Sequence, residues 1–267
     1  MKNITFALLT LLIISCSSSD DSESIIPIPE SYDYFPLNVG AYWTYNNQNS
    51  EQENTRDSLF ISGTEIIENN SYYQFNALEP VAGFMTSLLS QSSLNANNDE
   101  LLLNGQFGTP PIEGFPEISI PLVNLIMYDL NEYNGSLLSE ISGEILEVIE
   151  EIPIKINYQI TTIQGETYED GYGNFTSSSV LSTMININLS IIAAFEVLGT
   201  VLEIPILQPQ DVIKTTNYFA DGIGMIYSDT SVEYQLEDLS ILGITLPIPL
   251  EDSSNSSQNL DTYYIGN

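Results

Sequence analysis

The sequence predicts an all-β protein built on a curved antiparallel sheet, half-barrel or sandwich-like, with few or no helices. Two observations favour this fold class. Apolar and polar residues alternate with a period of two over several segments, which is typical of strands with one buried and one solvated face. Turn-forming clusters, such as DGYGN at 170–174, separate these segments.

The strands follow from the alternation, taken in chain order. Segments 59–67 and 72–78 flank the cluster Glu-Asn-Asn-Ser at 68–71, which predicts a hairpin. Three further segments alternate more clearly, and each predicts a strand with one wet face. These segments are 154–160, 183–191 and 232–236.

Three segments depart from the alternation. Residues 136–151 are the best helical candidate, but their β-branched and glycine content argues against a stable helix. Residues 118–130 and 191–207 are apolar almost throughout. We expect either that both faces of these strands are covered or that one face lines an apolar cavity.

The chain begins with a segment that is typical of secretion. Lys2 precedes an uncharged apolar stretch at 4–14, which matches a signal peptide and is too short to span a bilayer. Ser15 and Cys16, the single cysteine of the chain, follow this stretch in a pattern that resembles the bacterial lipobox. A thiol is a suitable nucleophile for thioether formation, so we expect lipid attached to Cys16 to anchor the protein to a membrane.

This interpretation divides the chain into three parts. Residues 1–15 are predicted to be a lipoprotein signal peptide, 16–31 an acidic Ser/Asp tether, and 32–267 a single antiparallel β domain. The first tether residues resemble the export signal of Bacteroidota surface lipoproteins and predict an outer-membrane protein displayed on the cell surface. The alternative is a tether that only spaces the domain from the membrane. The residues of the export signal are Ser17, Ser18, Ser19, Asp20 and Asp21.

The charge balance excludes one class of partner. The chain has 36 acidic and 4 basic residues, a formal net charge of -32. Such a charge repels the phosphate backbone of nucleic acids and opposes peripheral docking on anionic lipid. Membrane contact is therefore expected only through the N-terminal lipid. Self-repulsion that keeps the protein soluble is the simplest account of the acidity.

The residue types limit catalysis. The chain contains no histidine and one cysteine, which removes Ser-His-Asp catalysis and zinc sites built from His or paired Cys. Paired carboxylates remain available, but no pair stands out, so we predict no enzyme activity, no cofactor and no metal. A weak calcium candidate is a loop without EF-hand spacing, which is more typical of a solvated hairpin. Its oxygen donors are Glu166, Glu169, Asp170 and Asn174.

A short motif suggests a modification. Asp57, Ser58 and Leu59 match the Asp-Ser/Thr-aliphatic O-glycosylation pattern of Bacteroidota, which makes Ser58 a weak candidate for a glycan.

Three segments carry a resemblance to a family. FPLNVGAYWTY at 35–45, SGTEIIENNSYY at 62–73 and YFADGIGMI at 218–226 resemble segments of uncharacterised Bacteroidota lipoproteins with an N-terminal PLxxGxxWxY motif. Some of these look like the LolA/LppX half-barrel, a curved sheet that holds lipid, and the resemblance implies that fold. Gly222 and Gly224 lack the following helix of a nucleotide-binding loop, so a tight turn with positive backbone angles is expected there.

The leading functional prediction is a lipid-anchored, surface-exposed, non-catalytic β-domain protein with a binding or structural role, whose partner is a surface protein or glycan. One alternative is a carrier of a lipid or other apolar ligand. A second alternative is an adhesin or scaffold subunit that uses exposed aromatic residues and the loop near 104–116. The third alternative is a carboxylate-dependent hydrolase. The carrier's cavity would be lined by Leu122, Ile126, Ile191 and Ile192.

Overall fold

One antiparallel sheet of twelve strands organises the part of the chain that the computed structural model describes. The described residues are 33–49, 53–97, 99–108, 119–149, 152–197, 199–240 and 249–266. Within them, no helix is long and apolar enough to cross a membrane.

The strands are long in the second half of the chain and shorter in the first. In chain order they are β1 Tyr42–Asn49, β2 Thr55–Ile67, β3 Asn70–Ala77, β4 Ser92–Asn97, β5 Glu100–Gly108, β6 Ser119–Asp129, β7 Leu137–Ile149, β8 Ile152–Tyr168, β9 Val180–Val197, β10 Thr200–Ala220, β11 Gly224–Gln235 and β12 Glu251–Tyr264. One short helix, α1 (Phe84–Ser90), lies between β3 and β4.

The strand order is β6-β5-β4-β3-β2-β1-β12-β11-β10-β9-β8-β7. The chain therefore runs as two meanders that are joined where β1 pairs with β12, with Trp43 opposite Tyr263. The edge strand β6 approaches the other edge strand, β7, and its neighbour β8 through side-chain hydrogen bonds. The Ile126 amide donates to Ser139 Oγ (2.9 Å), and Thr162 Oγ1 donates to the Ile126 carbonyl (2.7 Å). The sheet is thus curved and nearly closed, which confirms the predicted fold class.

The local predictions can be compared with the strands. The hairpin at 59–78 is confirmed, with Glu68 and Asn69 at positive φ (49° and 69°), as a type I′ turn requires. The alternating segments 154–160 and 183–191 lie in β8 and β9, and 232–236 covers the end of β11 and Leu236 just beyond it. The helical candidate at 136–151 is instead strand β7, because it pairs antiparallel with β8 along its length and its glycine and β-branched residues disfavour a helix.

The apolar segment at 191–207 is not one covered strand. It is the end of β9 and the start of β10, joined by a turn at Gly199 with φ 79°. The expectation that both faces are covered is wrong near this turn, where Val201 is 66% and Leu202 49% exposed. The apolar run therefore covers both strands of a hairpin, and the tip of this hairpin is exposed to solvent.

The interior is filled by large side chains. Tyr32–Asn267 forms one compact unit, and its core includes Phe35, Trp43, Tyr45 and Phe219, each fully buried. Phe35 contacts Trp43 and Phe219 with ring centroids 5.2 and 5.8 Å apart. Aromatic side chains of this size dominate the burial energy of a core.

The turn between β10 and β11 is fixed to this core. Trp43 Nε1 donates to the Ile223 carbonyl (2.6 Å) between two glycines at positive φ, Gly222 (70°) and Gly224 (110°). A Cβ on Gly224 would lie 2.8 Å from Trp43 Nε1. The expected tight turn is confirmed, and glycine is required there both by backbone angle and by space.

Helix α1 packs against β2, β3, β4 and β5, and its first turn is capped by distant residues. Gly83, the N-cap residue, provides no side-chain cap. Instead Asp57 accepts hydrogen bonds from the amides of Ala82 (3.1 Å) and Gly83 (2.8 Å). Gln258 of β12 accepts from Met85 (2.7 Å), so two strands satisfy the amides that a helix leaves free at its start.

Candidate functional site

The four residues predicted to line an apolar cavity do not surround one space. Leu122 and Ile191 lie in the core cluster, whereas Ile126 and Ile192 are half-buried and lie outside its fully buried set. Since neighbouring positions of a strand face opposite sides, Ile192 points away from the core side that Ile191 faces. Asn124, at φ 52°, interrupts the alternation of β6, and Ile126 also lies on the outer face.

The calcium candidate residues Glu166, Glu169, Asp170 and Asn174 are all exposed in and beside the loop that follows β8. Among the described residues there is no group of three or more acidic, histidine or cysteine side chains that could hold a metal ion. Ser58 lies on β2, half-buried, between Asp57 and Leu59, which face the interior. Cys16, the run from Ser17 to Asp21 and most of the loop near 104–116 lie outside the described residues.

A groove opens on the outer face where β3 and β4 separate. Only two residue pairs join these strands, Tyr73 with Leu94 and Gln74 with Ser93, because α1 is inserted between them in the chain. Two adjoining pockets, which share Ile67 and Asn104, follow this separation across β2 to β6. We call them together the β3–β4 groove.

The first pocket of the groove has a volume of about 420 Å³ and a polar lining. Its one lining carboxylate, Glu65, is half-buried and accepts a hydrogen bond from Ser93 Oγ. Asn76 donates to Ser62 Oγ (2.6 Å), so its amide is oriented by the neighbouring strand. The polar side chains of this pocket are Glu65, Gln74, Asn76, Ser90, Gln91, Ser92, Ser93 and Asn104.

The second pocket, of about 300 Å³, combines apolar side chains with a hydrogen-bonded amide pair. Asn124 Oδ1 accepts from Tyr72 Oη and from Asn104 Nδ2, both at 3.0 Å. Asn104 Oδ1 accepts in turn from the Asn124 backbone amide (3.0 Å). Burial raises the pKa of the Tyr72 phenol, so it remains a neutral donor. Ile67 and Leu102 are among the apolar side chains beside this pair.

The chemistry of the groove is that of a site for neutral, polar groups. Amide side chains offer both donors and acceptors, and the network fixes their orientation. No basic residue is among the described side chains that line the two pockets, so an anionic ligand would meet Glu65 and Glu68 without a counter-charge. The groove sizes lie at the lower end of those of small-molecule sites.

Sequence reasoning missed this groove. Its polar residues come from five strands, β2 to β6, and from the end of α1, and most look locally like the solvated face of an alternating strand. Asn124 gave the one available signal, because it is the one polar residue of the stretch 120–127 inside the apolar run at 118–130. Such an interruption is typical of a bulge, and bulges occur often beside binding sites.

A second surface feature is a group of four half-buried tyrosines, the tyrosine cluster, formed by Tyr168, Tyr172, Tyr218 and Tyr227. Tyr172 stacks on Tyr218 with ring centroids 4.1 Å apart and an interplanar angle of 16°. The loop after β8 brings Tyr172 over β10, and the rings pack on a small apolar cluster that includes Val180. The cluster lies on the outer face, since the next residue along β10, Phe219, is in the core.

Comparison of the chain with protein-family models, with curated proteins and with solved structures finds no significant match. The resemblance to Bacteroidota lipoproteins therefore remains a prediction, and function has to be argued from the groove and the outer surface.

Proposed function

We propose that this chain is a non-catalytic binding protein, anchored by lipid at Cys16 and displayed on the cell surface, which binds a glycan in the β3–β4 groove. The observation that supports this ligand class most directly is the fixed amide pair Asn104 and Asn124 in a lining that is rich in hydroxyl and amide groups. Sugars present hydroxyls that both donate and accept, which amides match.

The apolar part of the groove fits the same ligand. Sugar rings carry C–H faces as well as hydroxyls, and Ile67, Leu102 and Ile126 offer apolar contact beside the amides. Glu65 adds one carboxylate that can accept from ligand hydroxyls, and hydrogen bonds to charged groups are the stronger ones. A purely apolar ligand would displace water from these polar groups without replacing the hydrogen bonds that the water makes, at a cost of about 1–3 kcal/mol for each group that becomes buried.

The interior offers less support for the carrier alternative. Phe35, Trp43, Tyr45 and Phe219 occupy the centre of the sheet, so an enclosed ligand would have to displace packed aromatic side chains.

The test is binding of the purified protein to a panel of neutral oligosaccharides, followed by calorimetry on any that bind. Gln74→Ala and Glu65→Gln are expected to weaken binding about three- to tenfold, as the loss of one or two hydrogen bonds would. Gln159→Ala is the matched control, because Gln159 is an exposed glutamine on β8 outside the groove. Equal affinities for Gln74→Ala and Gln159→Ala would contradict the proposed site, and an absence of glycan binding would contradict the ligand class.

The anchoring part of the proposal has its own test. Cys16→Ser is expected to move the protein from the membrane fraction to the soluble fraction, because the thiol is the proposed point of lipid attachment. Surface display predicts that protease added to intact cells degrades the unsubstituted protein. Protection of the protein from protease would contradict surface display, but it would not contradict the lipid anchor.

A further inference from the structure

The tyrosine cluster offers aromatic faces on the outer side of the sheet. Tyr168 and Tyr227 flank the stacked pair, with Tyr168 5.2 Å from Tyr172 and Tyr227 5.7 Å from Tyr218 between ring centroids. All four rings are half-buried. The rings cover three buried apolar residues, Val180, Ala220 and Ile226.

Carboxylates lie close to both flanks of the cluster. Burial raises the pKa of Tyr168, and the nearby Glu166 carboxylate raises it further. Burial likewise raises the pKa of Tyr227, with a further contribution from Asp229. Glu166 and Asp229 are both exposed. The same negative field that opposes ionisation of the phenols favours a cation over their faces.

No described basic side chain supplies that cation from within the protein. Of the three basic residues in the described ranges, Arg56 pairs with Asp261 (2.7 Å) and Lys214 pairs with Asp211 (3.1 Å). Lys155 lies near the start of β8, at the other end of the strand from Tyr168. None of the described basic side chains therefore supplies a counter-charge to the aromatic faces and their carboxylates.

We propose that the tyrosine cluster is a binding site for guanidinium and ammonium groups, and that its occupant is an arginine- or lysine-bearing segment of a partner protein. The charge complementarity is both local, through Glu166 and Asp229, and global, since the chain carries a net charge of -32. The aromatic faces add a cation–π attraction, for which arginine is the commoner partner. This site is separate from the β3–β4 groove and does not depend on glycan binding.

The test is an NMR titration of the purified, isotope-labelled protein with the peptide acetyl-Gly-Arg-Gly-Arg-Gly-amide in about 0.15 M salt, where the Debye length is about 8 Å and long-range attraction is screened. Backbone amides of the tyrosine cluster are expected to shift. A peptide with citrulline in place of both arginines has nearly the same shape without the charge and is expected to bind at least about tenfold more weakly.

Three variants with unchanged net charge separate the cluster from non-specific attraction. Tyr172→Leu keeps an apolar cover but removes a π face and is expected to weaken binding about three- to tenfold. Tyr172→Phe keeps the face and is expected to bind within about twofold of the unsubstituted protein. Tyr264→Leu removes a 48% exposed tyrosine outside the cluster and is expected to have no effect.

The proposal would be overturned if the citrulline peptide bound equally well or if the shifts lay away from the cluster. Equal effects of Tyr172→Leu and Tyr264→Leu would also overturn it. Should Tyr172→Leu not fold, Tyr227→Leu at the flank of the cluster provides the same comparison.

Discussion

The capping of helix α1 by β12 leads to a quantitative prediction about stability. Gln258 is 3% exposed and makes three hydrogen bonds to α1. Its Oε1 accepts from the amides of Met85 (2.7 Å) and Thr86 (3.3 Å), and its Nε2 donates to Thr86 Oγ1 (2.8 Å). Gln258→Leu keeps a similar volume but leaves two buried amide donors without acceptors.

The expected cost follows from those two donors. A buried donor that loses its partner costs about 1–3 kcal/mol, and the Thr86 bond is long, so we expect Gln258→Leu to lower the free energy of unfolding by about 2–4 kcal/mol. For a domain of this size that corresponds to a fall in Tm of about 5–15 °C. Urea denaturation measures the free energy, and hydrogen exchange at Met85 and Thr86 reports whether the loss is local to α1.

A double-mutant cycle with Asp57→Ala makes the reasoning refutable. Asp57 and Gln258 cap the start of the same helix, so substituting the second residue should cost less stability once the first has been substituted. The double variant should therefore lose less stability than the sum of the two single losses. Gln159→Leu, an exposed glutamine on β8, is the matched control and is expected to change stability by less than about 0.5 kcal/mol. A Gln258→Leu effect as small as this control, or strict additivity with Asp57→Ala, would refute the account.

Three other substitutions test separate parts of the structure. Partial burial and the nearby Asp221 carboxylate raise the pKa of Asp33, so the folded protein loses stability as the pH rises through the folded pKa. Asp33→Asn should therefore be more stable than the unsubstituted protein at pH 7, and this advantage should disappear at a pH below the usual aspartate pKa. Urea denaturation at both pH values measures the difference. Gly224→Ala places a Cβ 2.8 Å from Trp43 Nε1 at a residue with φ 110°. We expect it to lower the free energy of unfolding by about 1–3 kcal/mol and to change Trp43 fluorescence. An unchanged emission spectrum and Tm would contradict the tight turn. Arg56→Met breaks the ion pair with Asp261, in which the two side chains are 51% and 35% exposed. The free energy of unfolding should therefore fall by less than about 1 kcal/mol, and by less still in high salt. A larger loss that does not depend on salt would contradict this account of a solvent-screened pair.

The strands could be predicted because their signal is local. Ile185, Ile187 and Leu189 alternate with Asn186 and Asn188, and all three apolar residues are buried in β9. The turn at Glu68 and Asn69 was equally readable, since these residues adopt the positive φ that a two-residue hairpin requires. Apolar residues beside Gly199 were misread, because hydrophobicity alone does not show that a hairpin tip extends into solvent.

Helix α1 and the β3–β4 groove could not be read from the sequence. The helix has seven residues, too few to be stable alone, and it exists because Asp57 and Gln258 supply its caps from β2 and β12. The groove joins Tyr72, Asn104 and Asn124, which lie on β3, β5 and β6, and no local pattern shows that folding brings these three side chains together.

The sequence by itself determined that this protein is all-β and where β2, β3, β8, β9 and β11 lie, because a period of two is set by neighbouring residues. Only the tertiary structure decided that β1 pairs with β12, that α1 separates β3 from β4, and which outer faces carry the amides and the tyrosines. These features depend on contacts between residues far apart in the chain, and long-range pairing leaves no periodic trace in the order of the amino acids.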